Sequence, residues 1–278
     1  MLRGFYTAAS GMIAQQRRTE LLTNNMSNAN TTGYKADQTS VRSFSEMLIS
    51  NMGGKTIPTE NKLGIPEISK VGGLSTGVYV QEANPSFTQG TLEETGLNTD
   101  LALADESLPA NDDGRRGSVL FTVQDGDGGL RYTRNGSFTL DGQGYLTTPS
   151  GLYVLSDKNE RIKLESDRFT VTGDGAILEG NVQTARLGIG YSNDPSSQLM
   201  KDGEGLYKAV NDEGLPSAYA AAGGGFSAKQ GFLEGSNVDQ SRTMTEMMSA
   251  YRSFESSQKV LQAYDKSLDK AVNEVGRI

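Results

Sequence analysis

A chain of 278 residues, 35% of them hydrophobic and 22% charged, is long enough for one large or two ordinary domains and suits a folded protein with a lean core. It has no cysteine, histidine or tryptophan, so Cys- or His-based zinc sites, cysteine nucleophiles and histidine general bases are excluded, and chemistry could rest only on carboxylates, Lys, Tyr, Ser and Thr. The net charge of -8, with 26 Lys and Arg scattered rather than clustered, offers no basic field, and nucleic acid is not an expected partner.

The first element in chain order is a helix. Positions 1, 5, 8, 12, 15, 19, 22, 26 and 29 read Met, Phe, Ala, Met, Gln, Thr, Leu, Met and Ala, an apolar stripe at alternating spacings of three and four that Leu2, Ala9, Ile13 and Leu21 widen. It contains no unbroken apolar stretch of signal-peptide length, and no run in the chain approaches a membrane span, so neither a cleaved export signal nor membrane insertion is expected. The absence of cysteine means no disulfide framework and leaves the redox compartment open.

The stripe runs into NNMSNANTTGYK, residues 24–35, which packs Asn24, Asn25, Asn28 and Asn30 into seven positions. On a helix Asn25 and Asn28 are three apart and Asn24 and Asn28 four apart, so their amides are surface neighbours. Two readings stand: a row of amides beside an apolar seam that penalises slipped registers, or an exposed, poorly helical turn. Gly33 suits a left-handed helix cap, with Tyr34 folding back onto it.

Residues 36–77 include ISNMGGKTIPTENKLGIPEISKVGGLSTG, rich in Gly, Ser, Thr and Asn and carrying Pro, which reads as an irregular or extended linker. From 78 to 210 the period changes to two. FTVQ (121–124), LRYTRNGSFTLDGQGYLTT (130–148), LYVL (152–155), FTVTGDGAILEG (169–180) and LYKAV (206–210) are short β-branched and aromatic runs cut by turns, which predicts an antiparallel β domain. Gly136, Gly142, Gly144, Gly173 and Gly175 are expected to supply positive φ at those turns. DGDGG (125–129) starts like a calcium loop but puts Gly129 and Leu130 where a ligand and a glycine belong, so Asp125 and Asp127 read as turn residues, as does NDDG (111–114). GIGYSN (188–193) and GGGFSAKQG (223–231) fail the dinucleotide and phosphate-loop patterns, no carboxylate pair is singled out, and no cofactor or metal is expected.

A return linker is expected over 211–237, followed by a second helix from about Val238 to Val275, on the order of 55 Å long at 1.5 Å per residue. Its stripe reads Met244, Met247, Tyr251, Phe254, Gln258, Leu261, Asp265, Leu268, Val272 and Val275, widened by Met248, Tyr264 and Ala271. Met244, Met247 and Met248 suit an adaptable partner surface or ordinary packing. The resulting fold is α+β: long N- and C-terminal helices pairing as an antiparallel coiled coil, with an inserted antiparallel all-β domain. Residues 1–35 and 238–278 form the helical assembly domain and 78–210 the β domain.

Several stretches resemble the flagellar rod and hook family, the axial proteins of the bacterial flagellum. LLTNNMSNANTTGYK (21–35) is similar to its N-terminal signature, and GFLEGSNVD (231–239) to the segment leading into its C-terminal helix. TQGTLEETGLNTDLAL (88–103) and RYTRNGSFTLDGQGYLTT (131–148) resemble the start and hairpin core of its central β domain. The chain departs from the family at ADESLPANDDGRRGSVLFTV (104–123), where the family often runs almost directly into Gly-Phe-Phe, so the strand register near 104–118 stays open.

The resemblance implies a non-enzymatic subunit of the flagellar basal body, closest to distal-rod proteins. It also implies export through the flagellar type III channel and assembly into a helical tube that transmits torque around that channel. The partners implied are further copies of the chain, neighbouring rod and hook subunits, and the export apparatus with its chaperones. Rival readings are a flagellum-associated peptidoglycan hydrolase with helical assembly arms and an exported coiled-coil adhesin or cap protein. The expected assembly interface comprises Phe5, Met12, Leu22, Asn24, Asn25, Met26, Asn28, Asn30, Gly33, Tyr34, Met244, Met247, Tyr251, Phe254, Leu261, Leu268, Val272 and Val275.

Overall fold

The computed structural model describes residues 2–56, 64–109, 117–180, 182–211, 214–221 and 225–275. NDDG at 111–114, read as a turn, therefore lies outside the described residues, as does Met1 of the first stripe. The architecture is α+β, and the chain divides into two compact units: residues 1–24, 38–83 and 241–278 form one, and residues 25–37 and 84–240 the other.

In the helical unit, the N-terminal helix spans Leu2–Ser27 and the C-terminal helix Gln240–Lys270, continued by a wider π-turn over Ala271–Val275. Neither helix contains proline, so nothing in their sequences breaks them. Their contacts run antiparallel. A Cβ on Gly4 would collide with the Tyr264 phenol, one on Gly11 would lie 3.8 Å from Ser257 Oγ, and Arg18 Nη2 meets Glu246 Oε2 at 3.4 Å.

The least exposed side of the C-terminal helix carries Thr243, Met247, Ala250, Phe254, Ser257, Leu261, Tyr264, Leu268 and Ala271, again at spacings of four and three. It shares Met247, Phe254, Leu261 and Leu268 with the expected stripe, but the alternate positions lie one residue earlier. Small residues occupy several of them, as Gly4 and Gly11 do opposite, and bring the backbones close. The larger Met244, Tyr251 and Val272 are 54%, 62% and 71% exposed.

The stretch expected as irregular or extended, 36–77, carries strands Asp37–Ser43, Met47–Thr56 and Gly64–Leu74. Asp37–Ser43 pairs with Val78–Pro85, and Met47–Thr56 forms an antiparallel hairpin with Gly64–Leu74. Both are two-stranded, with open edges, where Gly and Pro are tolerated in a ladder. Composition alone therefore reads them as loop. The Thr7 hydroxyl donates to the Thr76 carbonyl at 3.0 Å, and the Val78 N–H donates to Ser10 Oγ at 3.3 Å, fastening this segment to the N-terminal helix.

The β unit is built around Ser118–Gln124, which pairs antiparallel with Leu130–Thr133, Tyr153–Val154 and Ile189–Ser192. Residues 118–123 are all buried, so this strand is covered on both faces, with Val119, Phe121 and Val123 on one and Ser118, Leu120 and Thr122 on the other. The sheet extends through Leu206–Ala209 to Leu199–Lys201 on one side and through Leu146–Thr147 to Thr139–Leu140 on the other. A second, three-stranded sheet joins Phe169–Val171, Ala176–Glu179 and Val182–Arg186. Leu101, Leu103, Phe121, Phe138, Leu146, Ile177 and Leu187 fill the core, with the rings of Phe121 and Phe138 edge to face at 5.1 Å.

The return segment 211–237, expected as a linker, contributes two strands. Phe226–Gln230 pairs with Leu101–Asp105, and Phe232–Glu234 with Leu92–Glu94. Their partners lie more than 100 residues away, so no local pattern announces them. Of the five turn glycines, Gly144 and Gly175 have positive φ, at 85° and 77°, whereas Gly136, Gly142 and Gly173 do not. Gly136 is needed for another reason: a Cβ there would strike the Leu101 carbonyl. Asp125 closes a tight turn, accepting the Gly128 N–H at 2.9 Å on its backbone carbonyl and pairing with Arg131 at 3.2 Å.

Candidate functional site: a buried charge cluster and its amide clamps

The chain passes between the two units after residues 24, 37, 83 and 240. Within the β unit, the residues beside these four crossings are tied together, and two asparagine side chains do most of the tying. Asn25 Oδ1 accepts the Asp37 N–H at 2.9 Å and the Tyr34 hydroxyl at 3.0 Å, while its Nδ2 donates to the Asp37 carbonyl at 2.8 Å. Asn237 Oδ1 accepts the Ala36 N–H at 2.7 Å, and its Nδ2 donates to the Ser86 carbonyl at 2.8 Å. Ser86 N–H donates to the Ala36 carbonyl at 2.8 Å, and Gln240 Nε2 to Asn30 Oδ1 at 3.2 Å. A carboxamide offers a donor and an acceptor side by side, which is what an unpaired peptide group requires.

Beneath these clamps lies a cluster of four charges. Lys35, Arg134 and Glu234 are each 1% exposed. Lys35 Nζ donates to Glu234 Oε1 at 2.6 Å and to the Thr88 carbonyl at 2.8 Å, and the Gly90 N–H donates to the same carboxylate oxygen at 2.9 Å. Arg134 Nε donates to Glu234 Oε2, Nη1 to Asp105 Oδ1 at 3.0 Å and to the Val119 carbonyl, and Nη2 to the Leu103 carbonyl at 2.8 Å. Two cations face two anions, so the cluster is neutral and its hydrogen-bonding groups are engaged. This is the condition under which buried charge is tolerated.

Burial is the largest single influence on each member of the cluster, but at Arg134 and Glu234 the opposite charges around them reverse its direction. It pushes the Lys35 ammonium below the usual lysine value, with Arg134 adding to the effect and Glu234 opposing it. It likewise raises Asp105. Burial alone would raise Glu234 too, but Arg134 and Lys35 outweigh it and hold the carboxyl below its ordinary value of 4.5. A depressed carboxyl contributes stability that is complete above the unfolded value and lost as pH falls through the folded one. The stability gap between the parent and Glu234→Gln should therefore be widest near neutral pH and narrow progressively below about pH 4.5. Urea midpoints at pH 7 and pH 3 check this.

Nothing in this arrangement is poised for catalysis: both carboxylates are engaged by Arg134 or Lys35 inside the protein. What it fixes is the relative position of three segments within the β unit. The Gly33 N–H donates to the Glu234 carbonyl at 2.7 Å and the Thr32 hydroxyl to Asn135 Oδ1 at 2.9 Å, so TTGYK, TRNG and LEGSN interlock. The N-terminal helix ends at Ser27, after which Asn28, Ala29 and Thr31 donate to carbonyls three residues back. Gly33, at φ 69°, belongs to the turn beyond the helix, not to its cap.

The other expected interface residues are distributed as follows. Tyr34 and Leu22 are buried, Phe5, Met12, Met26 and Asn28 half-buried, and Asn24 and Asn30 exposed. The Val275 side chain lies outside the described residues. Lys35, Asp105, Arg134, Glu234 and Asn237 were not anticipated, because Lys, Arg and Glu are read locally as surface residues. For Lys35, Arg134, Glu234 and Asn237 the available signal was their position in the three quoted motifs, which share no local pattern; Asp105 lies outside all three.

These motifs mark where three family profiles match: "Flagella basal body rod protein" over residues 5–35, "Flagellar hook protein FlgE/F/G D1 domain" over 116–183, and "Flagellar basal body rod FlgEFG protein C-terminal" over 229–274. Matched by these three profiles and by full-length relatives at 30% identity or more, the chain belongs to the flagellar basal-body rod and hook family, whose members are structural rather than enzymatic.

Among its relatives, the "Flagellar hook-basal body complex protein FlhO" of Bacillus subtilis is 42% identical over the full length of both chains. The "Flagellar basal-body rod protein FlgG" of the same organism is 34% identical over 98% of this chain and 99% of its own. The "Flagellar basal-body rod protein FlgF" of Caulobacter vibrioides is 30% identical over the full length of both. The protein is a structural axial component of the bacterial flagellum.

Proposed function

We propose that this protein is a distal-rod or rod–hook subunit of the basal body. It polymerises with its own copies and with neighbouring rod and hook subunits into a helical tube that surrounds the export channel and carries torque. The terminal helices, with residues 1–35 and 238–278 acting as the assembly domain, pair as an antiparallel coiled coil. The chain reaches its place through the type III export apparatus and its chaperones, without a cleaved signal.

The observation that carries this reading is unmatched apolar surface on both terminal helices. Tyr6, Ile13, Met244, Met248, Tyr251 and Val272 are exposed, although each belongs to a helix whose other side is already engaged. Fully covering a large side chain of this kind contributes about 1.5–3 kcal/mol, so a few per subunit suffice for cohesion along a polymer. Phe5, Met12, Leu22, Met26, Met247, Phe254, Leu261, Leu268 and Val275 continue the interface. Asn24, Asn28 and Asn30 set register, while Asn25, Gly33 and Tyr34 hold the end of the N-terminal helix in position.

The combined variant Met248→Ser and Tyr251→Ser tests it. Both side chains are exposed in the single chain, so monomer stability should change by no more than about 0.5 kcal/mol per site. Incorporation into isolated hook–basal bodies should be lost, together with motility. Normal incorporation of the doubly substituted chain would refute the interface.

A further inference from the structure

We propose that Glu234 is a latch that seats the segment leaving the N-terminal helix, residues 31–37, and the segment leading into the C-terminal helix, residues 235–240, in a single step. That step follows the folding of the β sheet. The inference goes beyond assembly and concerns how one chain orders itself.

The argument is one of serial dependence. Arg134 follows directly on strand Leu130–Thr133, and its guanidinium is aimed by the Leu103 and Val119 carbonyls and by Asp105. Those groups come from strands Leu101–Asp105 and Ser118–Gln124, so they converge only when the strands are in place. A guanidinium held there can receive Glu234 Oε2. Only then is Glu234 Oε1 positioned to accept Lys35 Nζ and the Gly90 N–H. Lys35 depends on this order because an ammonium buried without its carboxylate is strongly disfavoured.

The backbone follows the charges. Glu234 accepts the Gly33 N–H on its carbonyl, and Asn237, three residues on, accepts the Ala36 N–H. Seating Lys35 therefore draws 31–37 onto 234–237. The dependence is asymmetric: Glu234 keeps Arg134 and Gly90 if Lys35 is lost, whereas among the described residues Lys35 has no other carboxylate within hydrogen-bond distance if Glu234 is lost.

Hydrogen exchange on the full-length monomer tests this through Glu234→Gln and Lys35→Met, and the readout is independent of polymerisation. Glu234→Gln should accelerate exchange at least about tenfold in both 31–37 and 235–240, leaving 118–124 and 189–192 protected as in the parent. Lys35→Met should accelerate only 31–37. The latch is overturned if Glu234→Gln loosens one segment or neither, or if Lys35→Met loosens both. A Glu234→Gln chain whose sheet no longer folds also overturns it, because the sheet would then depend on segments it is held to precede.

Discussion

Replacing Arg134 by methionine is expected to lower the stability of the β unit by about 3–5 kcal/mol, the usual cost of removing one partner from a buried ion pair. The loss would show as a reduced urea midpoint followed by far-ultraviolet circular dichroism, since the chain has no tryptophan to report. The size of the effect follows from what the guanidinium leaves behind. Asp105 and Glu234 lose their shared cation, and the Leu103 and Val119 carbonyls lose donors within the protein. Methionine fills much of the volume but satisfies none of these acceptors. A change below about 1 kcal/mol would mean that water or a rearranged lysine takes over, and that the cluster does not hold the β unit together.

The second large effect is expected at Gly33. Alanine there should cost about 2–4 kcal/mol, from two sources that add. The left-handed conformation, φ 69°, costs a residue with a Cβ roughly 1–2 kcal/mol. The new methyl group would also run into the backbone of Arg134 and Asn135, so the TRNG loop must move or the Thr32–Asn135 and Gly33–Glu234 hydrogen bonds must break. Gly142→Ala is the matched control, because its φ is not left-handed and a Cβ there meets nothing within 4 Å. Denaturation of the two variants side by side separates a local backbone requirement from a general intolerance of alanine; equal, small losses would contradict the interlock.

How much of this was legible beforehand differs by element. Both long helices were, because a stripe sustained over many turns is a strong local signal, and the second was placed within a few residues of its observed ends. The register of its facing side was misread by one residue at alternate positions. Ala250 and Ser257 carry the close approach, and a count of large apolar residues passes over them in favour of Tyr251. The β unit was legible from its turns, but Phe226–Gln230 and Phe232–Glu234 were not, since each exists only by pairing with a strand far away in sequence. Asn25 stands out in the sequence but its partners do not: its amide is spent on Asp37 and Tyr34 of its own chain. The charge cluster was invisible for a plainer reason. A lysine at 35, an arginine at 134 and a glutamate at 234 meet only in three dimensions.

The gathering of all four crossings at one corner of the β unit has an evolutionary corollary. Insertions or deletions elsewhere in the β unit leave the hydrogen bonds that tie these crossings together untouched. The loops at Gly126, Gly142, Gly151 and Gly203, where an added side chain would meet little or nothing, are the natural places for such growth. Growth at such loops would leave Lys35, Arg134 and Glu234, which lock the segments beside the crossings, in place.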